Sequence, residues 1–203
     1  MMSQAGGMDI NVLMQRMRRL TMLDASVLDE VRTDTAATVP AIIVAAAATL
    51  LFALGGWLWY LFEDVPDTGQ FFVRSVILGT IISLIVWGVA IGVTYVMLTQ
   101  VFRARADLNE LVRVLGFAAA PLAIGFLFFI PSIGWGLSIV GLAVMFGLSV
   151  VAAQSASDAP PGRTVAAVGV GFLVWAVVLS LLGANADTIS DSIVPNIFAF
   201  ALD

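Results

Sequence analysis

Five long runs of this chain contain no charged residue, and no other feature constrains its fold as tightly. They cover roughly residues 39–62, 75–102, 114–130, 133–154 and 164–184. Nine arginines and 14 acids all fall between or outside these runs, and lysine is absent. A helix crossing hydrocarbon needs about 20 apolar residues to cover ~30 Å, and it cannot carry unpaired charge at depth. Four of the runs reach that length. The third, bounded by Arg113 and Pro131, is shorter and relies on flanking residues or a thinner bilayer. Stretches such as 42–54 and 165–182 are apolar nearly all round instead of alternating, which favours helices over barrel strands. The expected fold is an all-α integral membrane protein. It has five transmembrane helices and an N-terminal amphipathic helix at the interface.

Composition excludes several function classes. Of 203 residues, 61% are hydrophobic and 11% charged, against about 25% charged in an ordinary soluble domain. Mean hydropathy is +1.04. With no histidine and no cysteine, disulfides, thiolate or imidazole metal sites and Ser-His-Asp triads are all ruled out. A net charge of -5 with one short basic cluster gives nucleic acid no surface to bind. The sequence offers no catalytic cluster and no cofactor motif, so the chain is not expected to be an enzyme.

Arginine placement sets the expected orientation. Arg16, Arg18, Arg19, Arg32, Arg103, Arg105, Arg113 and Arg163 fall on one side of a five-span topology, and Arg74 alone on the other. By the positive-inside rule the N-terminus is cytoplasmic and the C-terminus external; short loops and the absence of glycosylation sequons fit a multi-pass protein of a prokaryotic cell membrane. Residues 1–37 form a cytoplasmic N-terminal region, 38–184 the membrane domain and 185–203 an external C-terminal segment. Trp57, Trp59, Tyr60 and Trp135 fall near the outer interface; Trp87 and Trp175 lie mid-span as packing residues.

The ends carry weaker signals. Ile10, Leu13, Met14, Met17 and Leu20 recur at helical spacing, with Gln15, Arg16, Arg18 and Arg19 largely off that stripe. Such a helix either lies on the anionic inner leaflet, with the arginines at the membrane surface, or folds against the protein's own loops. The C-terminal piece mixes Asp187 and Asp191 with Ile193, Val194, Ile197, Phe198 and Phe200, and Pro195 divides it. It is too short to span and reads as an outer-surface amphipathic segment or a partner contact.

Within the spans, Gly88 and Gly92 form a GxxxG pair, and Gly79 and Ser83 repeat the spacing earlier. Small residues on one face let helix backbones approach, either inside the bundle or against a partner. Pro121 is expected to kink the third span. Glu63, Asp64 and Asp67 read as a solvated acidic loop, with weak divalent-cation binding as the alternative. Asp107 and Glu110 read as surface acids paired with Arg103 or Arg113. The spans hold hydroxyls such as Thr49, Thr80, Ser83, Thr94, Ser138, Ser149 and Ser180, but no ionisable relay.

The stretch from Asp107, DLNELVRVLGFAAAPLAIGFLFFIPSIGWG, has an amphipathic lead-in, an LVRVLGFAAAP core and a closing proline. With the RMRRLTMLDASVLDEVRTD segment ahead of the first span, it resembles the Ypt/Rab-interacting-protein (YIP) domain family, in a bacterial-type form. Leu115, Gly116, Phe117 and Pro121 are the matching positions. The resemblance implies a compact five-helix membrane domain. Eukaryotic relatives bind prenylated small GTPases, but the acidic tyrosine-containing motif of those members is missing here, so that role does not carry over whole. The expected function is a non-catalytic scaffold or accessory subunit. Its partners would be the lipid bilayer and a membrane protein or a second copy of itself. The alternative is a small transporter or channel for an apolar or zwitterionic solute.

Overall fold

The computed structural model describes residues 10–22, 24–62, 67–184 and 192–200. Two short helices, α1 (Ile10–Thr21) and α2 (Ser26–Thr33), precede five long ones. The long helices cover Thr35–Phe62, Thr68–Val101, Leu108–Phe129, Gly134–Ser155 and Pro161–Ala184, and each is long and apolar enough to cross a membrane. Among the described residues no strand forms; an isolated antiparallel bridge joins Ala106 to Ser157. Five consecutive crossings place the arginine-rich loops at the end that carries α1 and α2, here the near end.

Local signals start the helices. Asp34 accepts a hydrogen bond from Ala36 N at the head of the first span. Asp107 accepts from Glu110 N at 3.0 Å at the head of the third. Pro161 opens the fifth, where its missing N–H is not needed. The second and third spans start at Thr68 and Leu108, earlier than the charge-free runs do. A helix does not stop where hydrocarbon begins, so Arg74 and Arg113 are helical. Asp107 is therefore a helix cap, and Arg113 is buried beneath α2, which corrects the reading of a solvated acid–arginine set.

The third span solves its length problem by changing helix type. Leu108–Ala118 is α-helical and Ala120–Phe129 is a 3-10 helix of 10 residues. Pro121 sits in the first turn of the 3-10 stretch, so the break expected as a kink is a changeover between helix types. A 3-10 helix rises ~2.0 Å per residue against ~1.5 Å for an α-helix. The narrower winding thus reaches about 20 Å where an α-helix would reach about 15 Å.

This span is the axis of the bundle. Of its most apolar stretch 61% is buried, against 28–44% for the other four. It packs between the first and fourth spans, while the second and fifth pair with each other. Glycines allow the closest approaches. A Cβ at Gly116 would stand 2.7 Å from the Ala41 carbonyl oxygen, and one at Gly125 would run into the Phe52 ring. Gly55 lies against the Gly125 and Phe126 carbonyls. At the far end, Trp57 Nε1 donates to Thr68 O at 3.1 Å, and Tyr60 stacks on Phe71 at 4.2 Å.

The C-terminal segment departs from expectation. Its described part, 192–200, does not lie on the outer surface: Ser192, Val194 and Asn196 are fully buried at the far end of the bundle. Ser75 Oγ donates to Val194 O at 2.7 Å. Asn196 adopts the left-handed conformation (φ 53°), and its Nδ2 donates to Phe52 O at 2.7 Å and to Gly125 O at 3.0 Å. One amide thus clasps the first span to the third. Gly56 and Gly79 make room for the segment. Phe198 meets Trp175 edge-on at 5.3 Å. Asp187 and Asp191 lie outside the described residues.

Asn196→Ala removes both donors and puts a Cβ-bearing residue with no local polar group at a positive φ. A loss on the order of 1–3 kcal/mol is expected from the two hydrogen bonds lost between the segment and the spans. It should appear as a lowered midpoint of thermal unfolding in detergent. Gly147→Ala, where an added Cβ meets nothing within 4 Å, should not lower the midpoint.

Candidate functional site

The near end carries a polar cap built from α1 and α2. Of the expected α1 stripe, Leu20 is buried and Leu13 and Met17 are partly buried against the near-end core. Ile10 and Met14 are instead exposed, at 64% and 65%. The helix is thus folded on the protein's own structure, one of the two arrangements its pattern allowed. Met17 and Leu20 border an apolar groove of about 590 Å³, shared with Pro121, Ile124, Leu127 and Leu148.

The three arginines of α1 differ in placement. Arg16 is buried, donating from Nε to Glu30 at 2.9 Å and from Nη2 to Asp34 at 2.7 Å. Arg19 bridges Asp24 at 2.8 Å and Glu30 at 2.9 Å, and its Nη2 reaches Ser26 Oγ at 2.8 Å. Arg18 is exposed. So two of the three residues assigned to the lipid surface are turned toward α2, where Asp24, Glu30 and Asp34 bind them. The ion pairs lower the carboxyls: hydrogen bonds from Arg16 hold Glu30 and Asp34 below their ordinary values. Asp24 is lowered chiefly by the Ser26 hydroxyl and then by Arg19.

Two further residues fix this cap: Arg113, read from the sequence as a partner for Asp107 or Glu110, and Asp158, which the sequence did not single out. Arg113, from the third span, donates from Nε and Nη2 to Arg32 O at 3.1 and 2.7 Å. It thereby satisfies an orphan carbonyl at the C-terminus of α2, where a cation is also favoured by the helix dipole. Asp158 accepts from Arg105 N at 2.6 Å, closing the two near-end loops onto each other. The available signal for Arg113 was its position inside an otherwise apolar LVRVLGFA run.

The four small residues of the second span do not act together. Gly79 and Ser83 are buried, with Gly79 against Ile193 and Pro195 of the C-terminal segment. Gly88 and Gly92 have nothing within 4 Å of where a Cβ would sit, and their neighbours Ile85 and Val89 are 63% and 53% exposed. Of the outer-loop acids, Asp67 is described, and Glu63 and Asp64 lie outside the described residues. Among the described residues no group of three acids, histidines or cysteines is placed to hold a metal.

The residues that carried the family resemblance are central. Leu115 and Phe117 are buried, Gly116 makes the backbone crossing with Ala41, and Pro121 begins the 3-10 stretch. The Yip1 domain model matches residues 25–185, from α2 to just past the fifth span. The chain belongs to the Yip1 domain family. No curated relative and no solved structure matches it. The family match agrees with what the helices show independently, a multi-pass membrane protein.

Because Glu30 and Asp34 bind protons less readily in the fold than in the free chain, their contribution is complete above the ordinary carboxylate range near pH 4. It is lost as pH falls through their lowered values. α1 should stay docked from neutral to mildly acidic pH and detach in stronger acid, read as lengthening of the spin-label distance between Gln15→Cys and Asp29→Cys. Arg16→Ala should loosen the same docking at neutral pH, on the order of 1–3 kcal/mol.

Proposed function

We propose that this Yip1-family protein is a non-catalytic scaffold or accessory subunit that works by helix–helix contact inside the bilayer. The observation that carries this reading is the open small-residue face at Gly88 and Gly92. A GxxxG pair that served internal packing would be covered by another part of the chain, as Gly116 is by the first span and Gly79 by the C-terminal segment. Left open between Ile85 and Val89, it fits a helix of a second copy or of another membrane protein, whose backbone can approach closely there.

The near-end cap supports a second contact. Ile10, Met14, Arg18 and Met22 follow one another at four-residue spacing and are all exposed. Three apolar side chains with one cation suit an anionic lipid surface. In this reading the protein sits in a cell membrane with the arginine-rich end cytoplasmic and the C-terminal segment external. Passage of a solute is less well supported, since the interior cavity beside Trp175 is about 40 Å³.

A photoreactive amino acid at Val89, activated in native membranes, tests the reading. Discrete protein adducts are expected, and they should vanish in the Gly88→Leu/Gly92→Leu variant while thermal unfolding is unchanged. Adducts with lipid alone, or protein adducts indifferent to the two leucines, would refute it.

A further inference from the structure

The seam between the second and fifth spans is more polar than its depth would require. Thr80, Ser83, Trp87, Ala90 and Thr94 recur at three- and four-residue spacing, so they share one face of the second span. Gly171 and Trp175 meet that face from the fifth: a Cβ at Gly171 would run into Thr94 Oγ1 and the Ala90 carbonyl. Trp175 is 3% exposed, and its indole Nε1–H has no acceptor. The hydroxyls of Thr80 and Ser83 on the same face are buried without a partner as well.

Trp175 borders a cavity of about 40 Å³, lined also by Thr94, Ser149, Trp87 and Met145. The Thr94 hydroxyl donates to Ala90 O at 2.9 Å, which leaves its oxygen able to accept. Ser149 is itself buried. A buried donor without an acceptor is destabilising. A water needs roughly 10–15 Å³ and two to four polar partners. The cavity exceeds that space, and its wall offers three polar partners.

We propose that this cavity is a hydration site within the membrane-spanning core. A water accepts from Trp175 Nε1 and donates to Thr94 Oγ1 or Ser149 Oγ. The ligand class is small and uncharged: no lining residue carries a charge, so an ion would lose its hydration with nothing to replace it. At the far end, Phe198 packs on Trp175 from the inserted C-terminal segment, so the site lies beneath that segment. The inference stands apart from the contact role of Gly88 and Gly92.

The test uses the full chain, ¹⁵N-labelled at tryptophan, in phosphatidylcholine nanodiscs. Five indole resonances are expected from the five tryptophans. Trp175→Phe assigns one of them; if that variant does not fold, the Phe variants of the other four assign it by elimination. Magnetisation transfer from water to the Trp175 indole proton is expected, and it should fall at least severalfold in Thr94→Val/Ser149→Ala. Absence of transfer in the parent protein, or transfer unchanged in the double variant, would overturn the proposal.

Discussion

Hydrocarbon supplies no hydrogen bonds, so every backbone carbonyl at membrane depth must find its donor within the protein. That requirement organises this bundle. The short third span stays satisfied by winding as a 3-10 helix, which also lets it reach further per residue. Its glycines then bring it so close to the first span that the Gly125 carbonyl faces Gly55. Asn196, delivered by the inserted C-terminal segment, donates to carbonyls of both spans at once. Loss of that amide would cut both hydrogen bonds by which the segment ties the first span to the third.

The same logic explains where charge is allowed. At the near end, outside the apolar runs, Arg16, Arg19 and Arg113 are drawn into acids or a helix-end carbonyl of the α2 region. These contacts fasten α1 and α2 onto the third span, which in turn holds the first and fourth. The polar cap and the apolar axis are therefore one continuous structure. The ridge of α1 and the Gly88 and Gly92 face of the second span are left uncovered.

Much of this was legible in the sequence. Charge-free runs located all five spans, because exclusion of charge from hydrocarbon acts on each residue separately. The family resemblance rested on Leu115, Gly116, Phe117 and Pro121, which prove to be the crossing with the first span and the start of the 3-10 stretch. The insertion of 192–198 was not legible. Its residues are few and mixed, and their burial depends on carbonyls contributed from more than 70 positions away. Nor did spacing distinguish the buried pair Gly79 and Ser83 from the open pair Gly88 and Gly92, since all four follow similar periodicity and only what packs on them from elsewhere in the chain decides which is covered. Arg16 and Arg19 resembled membrane-surface cations until their partners on α2 were placed.

The account rests on an odd number of crossings with the C-terminal segment tucked back into the bundle. The chain has no cysteine, so single cysteines can be introduced without a background. In sealed, oriented vesicles, an impermeant maleimide should reach Asp29→Cys and Ser132→Cys from opposite sides, and Val194→Cys from neither side until the protein is denatured. Labelling of the first two from the same side, or of Val194→Cys as readily as Ser132→Cys, would contradict it.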